Sequence, residues 1–315
     1  MAADLAIGVD IGGTKIAGGV VDLDGRILTE TRRKTPAKDV AATEDAIVDL
    51  IQELRAKHDV HAVGVGAAGW VDSTRSTVYF APNLAWRDEQ LGAELAERCG
   101  IAVVIENDGN AAAWGEYRFG AARGFESSAL VTVGTGIGGG IVVGGQLYRG
   151  GFGIAAEFGH VRVVPDGRPC PCGNLGCWEQ YASGKALVRA ARELAAERPH
   201  DAETMLGLGD GTPEGITGEH VTAAAQDDDP VAIAAFAEIG QWLGQGMADL
   251  VAVLDPSCIV LGGGVSAAGE LLLEPARDAY ETKVTGHGHR PFAEIKLAEH
   301  ANDAGIIGAA DLARR

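Results

Sequence analysis

One pattern occurs twice in this chain and constrains it more than any other feature. LAIGVDIGGTKIAGG begins at Leu5 and LVTVGTGIGGGIVVGG at Leu130; each is an apolar strand, a glycine-rich turn and a second apolar strand. A further echo follows. NDGNAAAWGE from Asn107 and NDAGIIGAAD from Asn302 each set an Asn-Asp pair before a short helical run. Both echoes are met by two related α/β halves, or by chance similarity between Gly/Ala-rich segments.

The remaining pattern alternates strand and helix. Asp24-Gly25 supplies a hairpin turn after the opening strands. From Val40 to His58, apolar residues at Ala46, Ile47, Leu50, Ile51 and Leu54 keep helical spacing. His61–Gly66 reads as a buried strand, Glu89–Arg98 as a helix stopped by Gly100, and Ile101–Ile105 as the next strand, with a loop from Asn107 entering a helix. Such alternation predicts a largely parallel sheet covered by helices. The second half is mostly helical, over Ser183–Arg198 and Pro230–Leu254, with Pro199–Glu219 expected to be looped and Ser257–Val265 a strand running into a glycine turn.

Composition narrows the function. At 315 residues the chain exceeds one ordinary core, and a formal charge of -18 disfavours phosphate backbones, so nucleic acid is not an expected partner. The N-terminal MAADLAIGVDIGGTKIAGG lacks the basic start and apolar segment of a secretory signal, and no apolar run is long enough for a membrane span. A cytoplasmic protein with reduced cysteines is expected, which favours a metal site over a disulfide wherever cysteines cluster.

Three glycine loops follow apolar strands: Gly12-Gly13-Thr14-Lys15 after Asp10, Gly134-Thr135-Gly136, and Gly262-Gly263-Gly264. Glycine lets a ligand approach the backbone, and exposed N–H groups make anion sites. None fits the P-loop spacing, and each taken singly also reads as a plain turn. Their combination points to a nucleotide. Asp10, at the end of a strand beside the first loop, suits either a hydrated Mg²⁺ or closure of the turn. Asn107 and Asp108 follow a strand and open a helix. They are good N-caps, and the composition of the stretch favours that role; the end of an α/β strand is also where a carboxylate could accept a proton from a substrate hydroxyl.

Of five cysteines, three fall between Cys170 and Cys177, ten residues after His160. His160, Cys170, Cys172 and Cys177 form a Cys₃His set suited to tetrahedral Zn²⁺ with no vacant position, hence structural. Cys99 and Cys258 stand apart and read as lone buried thiols. A zinc at this knuckle would fix the backbone carrying Glu157 and Glu179, two carboxylates suited to a polyol, while His160 could use one ring nitrogen for metal and the other for a hydroxyl.

The motifs GVDIGGTKIAGGVVD, IENDGNAAAWGE, VGTGIGGGIV, GGFGIAAEFGH and CPCGNLGCWEQYASG, in this order, resemble the ROK family (repressors, open reading frames and kinases of sugars), most closely its bacterial ATP-dependent glucokinases. The resemblance covers nearly the whole chain. It implies an actin-like ATPase (ribonuclease H-like) fold with two α/β domains flanking a cleft. The expected division is a small domain over 1–108, completed by a helix over 303–315, and a large domain over 109–302 with the zinc knuckle and an oligomer interface. The resemblance further implies ATP on the glycine loops, Mg²⁺ near Asp10, Asp108 as catalytic base, and sugar contacts from Gly69, Asn107, Asp108, Glu157, His160 and Glu179. The implied reaction passes the γ-phosphoryl group to the 6-hydroxyl of glucose, in a dimer or tetramer. Relatives also act on N-acetylmannosamine, fructose, mannose or allose, some use polyphosphate, and others are sugar-sensing regulators with a helix-turn-helix before the first glycine loop; that loop starts at once here. An actin-like filament or chaperone ATPase would not require the zinc knuckle.

Overall fold

The computed structural model of the protein describes residues 4–315. In chain order the regular elements begin with β1 Leu5–Ile11, β2 Lys15–Val21, β3 Ile27–Lys34, α1 Val40–Arg55, β4 Val60–Ala67, β5 Trp70–Val71, β6 Val78–Phe80, β7 Arg87–Glu89, α2 Leu91–Cys99, β8 Val103–Asn107 and α3 Asp108–Phe119. Then come β9 Ser128–Val133, β10 Ile137–Val143, β11 Gln146–Leu147, α4 Glu179–Ala182, α5 Gly184–Glu197, α6 Glu203–Leu208, α7 Gly218–Gln226 and α8 Pro230–Leu254. The chain ends with β12 Cys258–Gly262, α9 Glu270–Lys283, β13 Glu294–Leu297 and α10 Ala304–Ala313. Two compact units result: one from the described residues up to 130 with 139–156 and 298–315, the other from 131–138 and 157–297.

The pattern that occurs twice in sequence recurs in topology. The two five-stranded sheets run β3-β2-β1-β4-β8 and β11-β10-β9-β12-β13, the same order with a hairpin on one side and parallel strands on the other.

In the first unit, β1 sorts its side chains by size. Leu5, Ile7, Val9 and Ile11 join Ile47, Leu50, Ile51 and Leu54 of α1 in one core. Ala6 faces the other way, with Ala17, Ala62, Ile306, Ile307 and Ala310. The small face lets α10 lie directly on the sheet: a Cβ at Gly8 would stand 1.8 Å from the carbonyl oxygen of Ile306, and one at Gly64 1.9 Å from that of Ala309. Filling such space forces the backbone apart, at about 1–3 kcal/mol or more per site. The two Asn-Asp echoes meet in this unit. A Cβ at Gly115 in α3 would lie 2.3 Å from the oxygen of Ala304, and one at Gly308 in α10 would lie 1.8 Å from that of Ala111. Their glycines therefore serve helix–helix approach.

In the second unit α8 is 25 residues long, started by Asp229, whose Oδ1 accepts from the backbone N–H of Val231 (3.0 Å) and Ala232 (2.9 Å), with Pro230 at its first turn. It packs along α9, and a Cβ at Gly244 would meet the oxygen of Ala276 at 2.4 Å.

Three expectations shift. Residues 199–219 are not loop throughout: α6 and two 3-10 turns lie there, and α7 opens on a box in which Thr217 and His220 cap each other. β8 starts later and runs to Asn107 because its ladder with β4 continues to the pair Ala67↔Asn107, so α3 follows with no intervening loop. A small sheet, β5-β6-β7, lies between β4 and α2 in sequence.

Candidate active site

The first unit gathers Asp10, the first glycine loop, Gly69, Asn107 and Asp108. Asp10 lies on the small face of β1, paired with Ala17 and Gly66, its carboxyl against Gly305 at the start of α10. Burial pushes its pKa up to about 7, the carboxylate of Asp108 adds to the rise, and Lys15 pulls the other way. The loop between β1 and β2 is a hairpin turn, closed by the Gly12 N–H on the oxygen of Lys15 at 2.9 Å. Thr35 braces it from outside, its hydroxyl donating to the oxygen of Gly12 (2.8 Å) and its N–H to that of Thr14 (3.1 Å).

At the end of β8 the cap belongs to Asn107. Its Oδ1 accepts from the N–H of Asn110 at 3.0 Å. Its Nδ2 donates to the oxygen of Gly69 and to Oδ1 of Asp108, each at 3.1 Å. Asp108 is the first helical residue, so the turn of α3 closes through its neighbour. Gly69 tolerates no side chain, because a Cβ there would lie 2.5 Å from the oxygen of Phe80.

The second unit gathers the other predicted residues. Ligand atoms of His160, Cys170, Cys172 and Cys177 all lie within 4.8 Å of one another. Sγ of Cys172 and Cys177 are 3.6 Å apart, and Sγ of Cys170 is 3.7 Å from Nδ1 of His160. A tetrahedron with Zn–S bonds of about 2.3 Å has S–S edges of about 3.8 Å, so the set fits zinc in number, chemistry and spacing. The knuckle is tightened by the Cys170 N–H on the oxygen of Asn174 (2.9 Å) and by Gly176, at φ 76°, where a Cβ would lie 1.6 Å from the oxygen of Val164. The ring leaves Nε2 of His160 toward Glu157, 3.8 Å from its Oε2. Sγ of Cys170 is 3.2 Å from Oε1 of Glu179. Cys99 and Cys258 are separate and buried.

The second glycine loop lies against this group. Gly134 donates to the oxygen of Gly136 at 3.0 Å and accepts from the N–H of Gly184, at the start of α5, at 2.7 Å. Gly263, at φ 85°, closes on the backbone of Val133, and Gly264 opens the 3-10 turn after it.

Sequence reasoning missed the supports of these residues. Trp178, between Cys177 and Glu179, donates from Nε1 to the oxygen of Trp242 at 2.8 Å, and its ring fills the space that a Cβ at Gly246 would need. Glu106, beside Asn107, is 2% exposed and bonded to Arg149. A lone acid in the apolar run VVIEN was the available signal.

A two-domain α/β protein with paired glycine turns and a Cys₃His knuckle is the class defined by fold and site. The signature of the ROK family matches residues 6–315, and the chain belongs to that family and has its actin-like ATPase fold. It is 53% identical over 310 residues to a glucokinase of Streptomyces coelicolor, covering 98% of each chain. It is 37% identical to a glucokinase of Thermotoga maritima, covering 97% of this chain and 96% of that one. The crystal structure of a ROK family glucokinase from Streptomyces griseus in complex with glucose and AMPPNP is 54% identical, covers 98% of this chain and 99% of that one, and superposes with a TM-score of 0.91.

Proposed function

We propose that this protein is an ATP-dependent glucokinase that transfers the γ-phosphoryl group of ATP to the 6-hydroxyl of glucose, giving glucose 6-phosphate and ADP. The observation that carries the reading is the 54% identity, over 98% of the chain, to the Streptomyces griseus enzyme crystallised with glucose and AMPPNP. The chemistry of the residues supports it.

Asp108 takes the proton of the 6-hydroxyl as the oxygen attacks phosphorus. Its neighbour Asn107 and the backbone at Gly69 bind sugar hydroxyls, as do Glu157, His160 and Glu179. Lys15, Thr14, Thr135 and the N–H groups of Gly13, Gly136, Gly263 and Gly264, on loops whose turns are closed by the N–H groups of Gly12 and Gly134, bind the nucleotide and offset phosphate charge. Fixed donors and fixed geometry supply most of the rate in phosphoryl transfer. Mg²⁺, if bound, would supply positive charge beside the phosphates. Asp10 would hold it: its buried carboxyl stands beside the carboxylate of Asp108, the charge of Lys15 offsets the pair only in part, and a hydrated divalent ion would supply further positive charge there. The Cys₃His set would hold zinc with four protein ligands, and the ion would fix the backbone near Glu157 and Glu179 without touching the reaction. The enzyme works as a homo-oligomer, a dimer or tetramer, a reading that rests on family resemblance.

The test is a coupled assay of the purified chain with glucose, N-acetylmannosamine, fructose, mannose and allose, each with ATP and with polyphosphate. The expected result is the highest kcat/KM for glucose with ATP. A higher value for N-acetylmannosamine, or no ADP with any sugar, overturns the proposal.

A further inference from the structure

Glu106 ends the buried part of β8 one residue before Asn107, and its carboxylate is the centre of a network within the first unit. Oε1 accepts from the N–H of Asn107 at 3.2 Å and from Nδ2 of Asn110 at 3.1 Å. Oε2 accepts from Nε of Arg149 at 2.7 Å and lies 2.7 Å from its Nη2. Nε of Arg75 stands 3.6 Å from the same oxygen, while Nη2 of Arg75 donates to the carbonyl of Leu312 at 3.0 Å. A buried carboxylate is tolerated only when paired and hydrogen-bonded, and here both oxygens are engaged.

The bonds on Oε1 bracket Asp108. One fixes the backbone before it, the other fixes a side chain in the first turn after it, and Asn110 is 0% exposed. The cap bond from Asn110 N–H to Asn107 closes the same ring of contacts. Arg149 in turn anchors the start of the stretch Arg149–Ala156, which leads directly to Glu157. A cap alone would start α3. It would not require a buried acid held by two guanidinium groups behind it.

We propose that Glu106 is a positioning residue for Asp108, with Arg149 as the partner that holds it. The ion pair sets the direction in which the Asp108 carboxylate points. This rests on the reading of Asp108 as base. The competing account is an ion pair that serves stability alone.

The two accounts separate in a mutant cycle on the full-length enzyme. Glu106→Gln keeps an acceptor for Asn107 and Asn110 but removes the charge. Arg149→Met removes the partner, Arg149→Lys restores its charge with one donor group, and the double variant Glu106→Gln/Arg149→Met removes both members of that ion pair while Arg75 keeps its bond to the carbonyl of Leu312. Each is measured for kcat, for KM of glucose and of ATP, and for Tm, both in the native background and with Asp108→Asn. Small misplacements of a reacting group are costly, so Glu106→Gln and the double variant should lower kcat about 10–100-fold with KM for ATP changed less than about 2-fold. Arg149→Lys should recover part of what Arg149→Met loses. In the Asp108→Asn background the same changes should alter the residual kcat by less than about 2-fold, because groups acting as one unit are not additive. A full further loss in that background, or unchanged kcat in a folded Glu106→Gln enzyme, overturns the positioning role and leaves the base assignment standing. Near-normal kcat for Asp108→Asn alone overturns both.

Discussion

Gly136 and Glu179 occupy adjoining space: a Cβ added at residue 136 would stand 2.5 Å from Oε2 of Glu179. One residue belongs to a glycine loop assigned to the nucleotide, the other is a carboxylate assigned to the sugar. The clash is with the far end of a flexible side chain, so Gly136→Ala should shift Glu179 and leave the fold intact. KM for glucose should rise about 10-fold, kcat should fall, and Tm should stay within about 2 °C. Steady-state kinetics with glucose varied at saturating ATP will decide. Unchanged KM for glucose would separate Glu179 from sugar binding.

Asp108 can be tested without disturbing the start of its helix, because the cap bond is made by Asn107. Asp108→Asn keeps the shape of the residue and removes its ability to take a proton. The expected fall in kcat is about 10²–10⁴-fold with an unchanged circular dichroism spectrum. Retention of most of the activity would remove the base assignment.

Periodic stretches were legible in the sequence, and residues held from a distance were not. α1 and α8 announce themselves by spacing and by Pro230 after Asp229, and Gly100 stops α2 in the left-handed region at φ 63° as a terminal glycine should. β5 to β7 span two or three residues each, too few for alternation to register. α6 and α7 hide in a Gly/Asp-rich stretch, and the α7 cap uses His220 where Glu or Gln is the usual sign. The Cys₃His set was readable because ligand chemistry and spacing are local. The ring nitrogen facing it was not, since only three-dimensional placement puts Nδ1 toward Cys170. Arg149 beside Glu106 is a contact across 43 positions, which no local pattern encodes.

Stability should depend on pH through Glu44, on α1. Its side chain is nearly buried, Oε1 has no hydrogen-bond partner, and Arg98 approaches only to 3.8 Å of Oε2. Burial, then the charges of Glu89 and Glu94, raise its pKa from 4.5 to about 7. Between those values the folded state holds the proton more tightly than the unfolded chain, so this contribution is full below pH 4.5 and is lost as pH rises through about 7. Glu44→Gln should therefore raise Tm by about 1–3 °C at pH 8 and make little difference near pH 4.5. Thermal scans of both proteins across that range test it; a gap that does not vary with pH would refute it.

Cys172 is the exposed member of the knuckle, whereas Cys170 and Cys177 are buried. Replacing it by alanine opens no core cavity, so any effect reports on the metal. With four protein ligands a zinc ion here has no open position and no part in bond making. Cys172→Ala should lose the metal, and elemental analysis of the native protein should find about one zinc per chain. The knuckle ends at Cys177, two residues before Glu179, and His160 is three residues after Glu157, so losing the ion should loosen both carboxylates. KM for glucose should then rise more than KM for ATP, and kcat should fall with the loss of positioning. Excess Mg²⁺ should not restore activity, because it prefers oxygen ligands to thiolates. Native protein without zinc but with full activity, or a Cys172→Ala enzyme with unchanged KM for glucose, would show that the knuckle does not hold the residues proposed to bind the sugar.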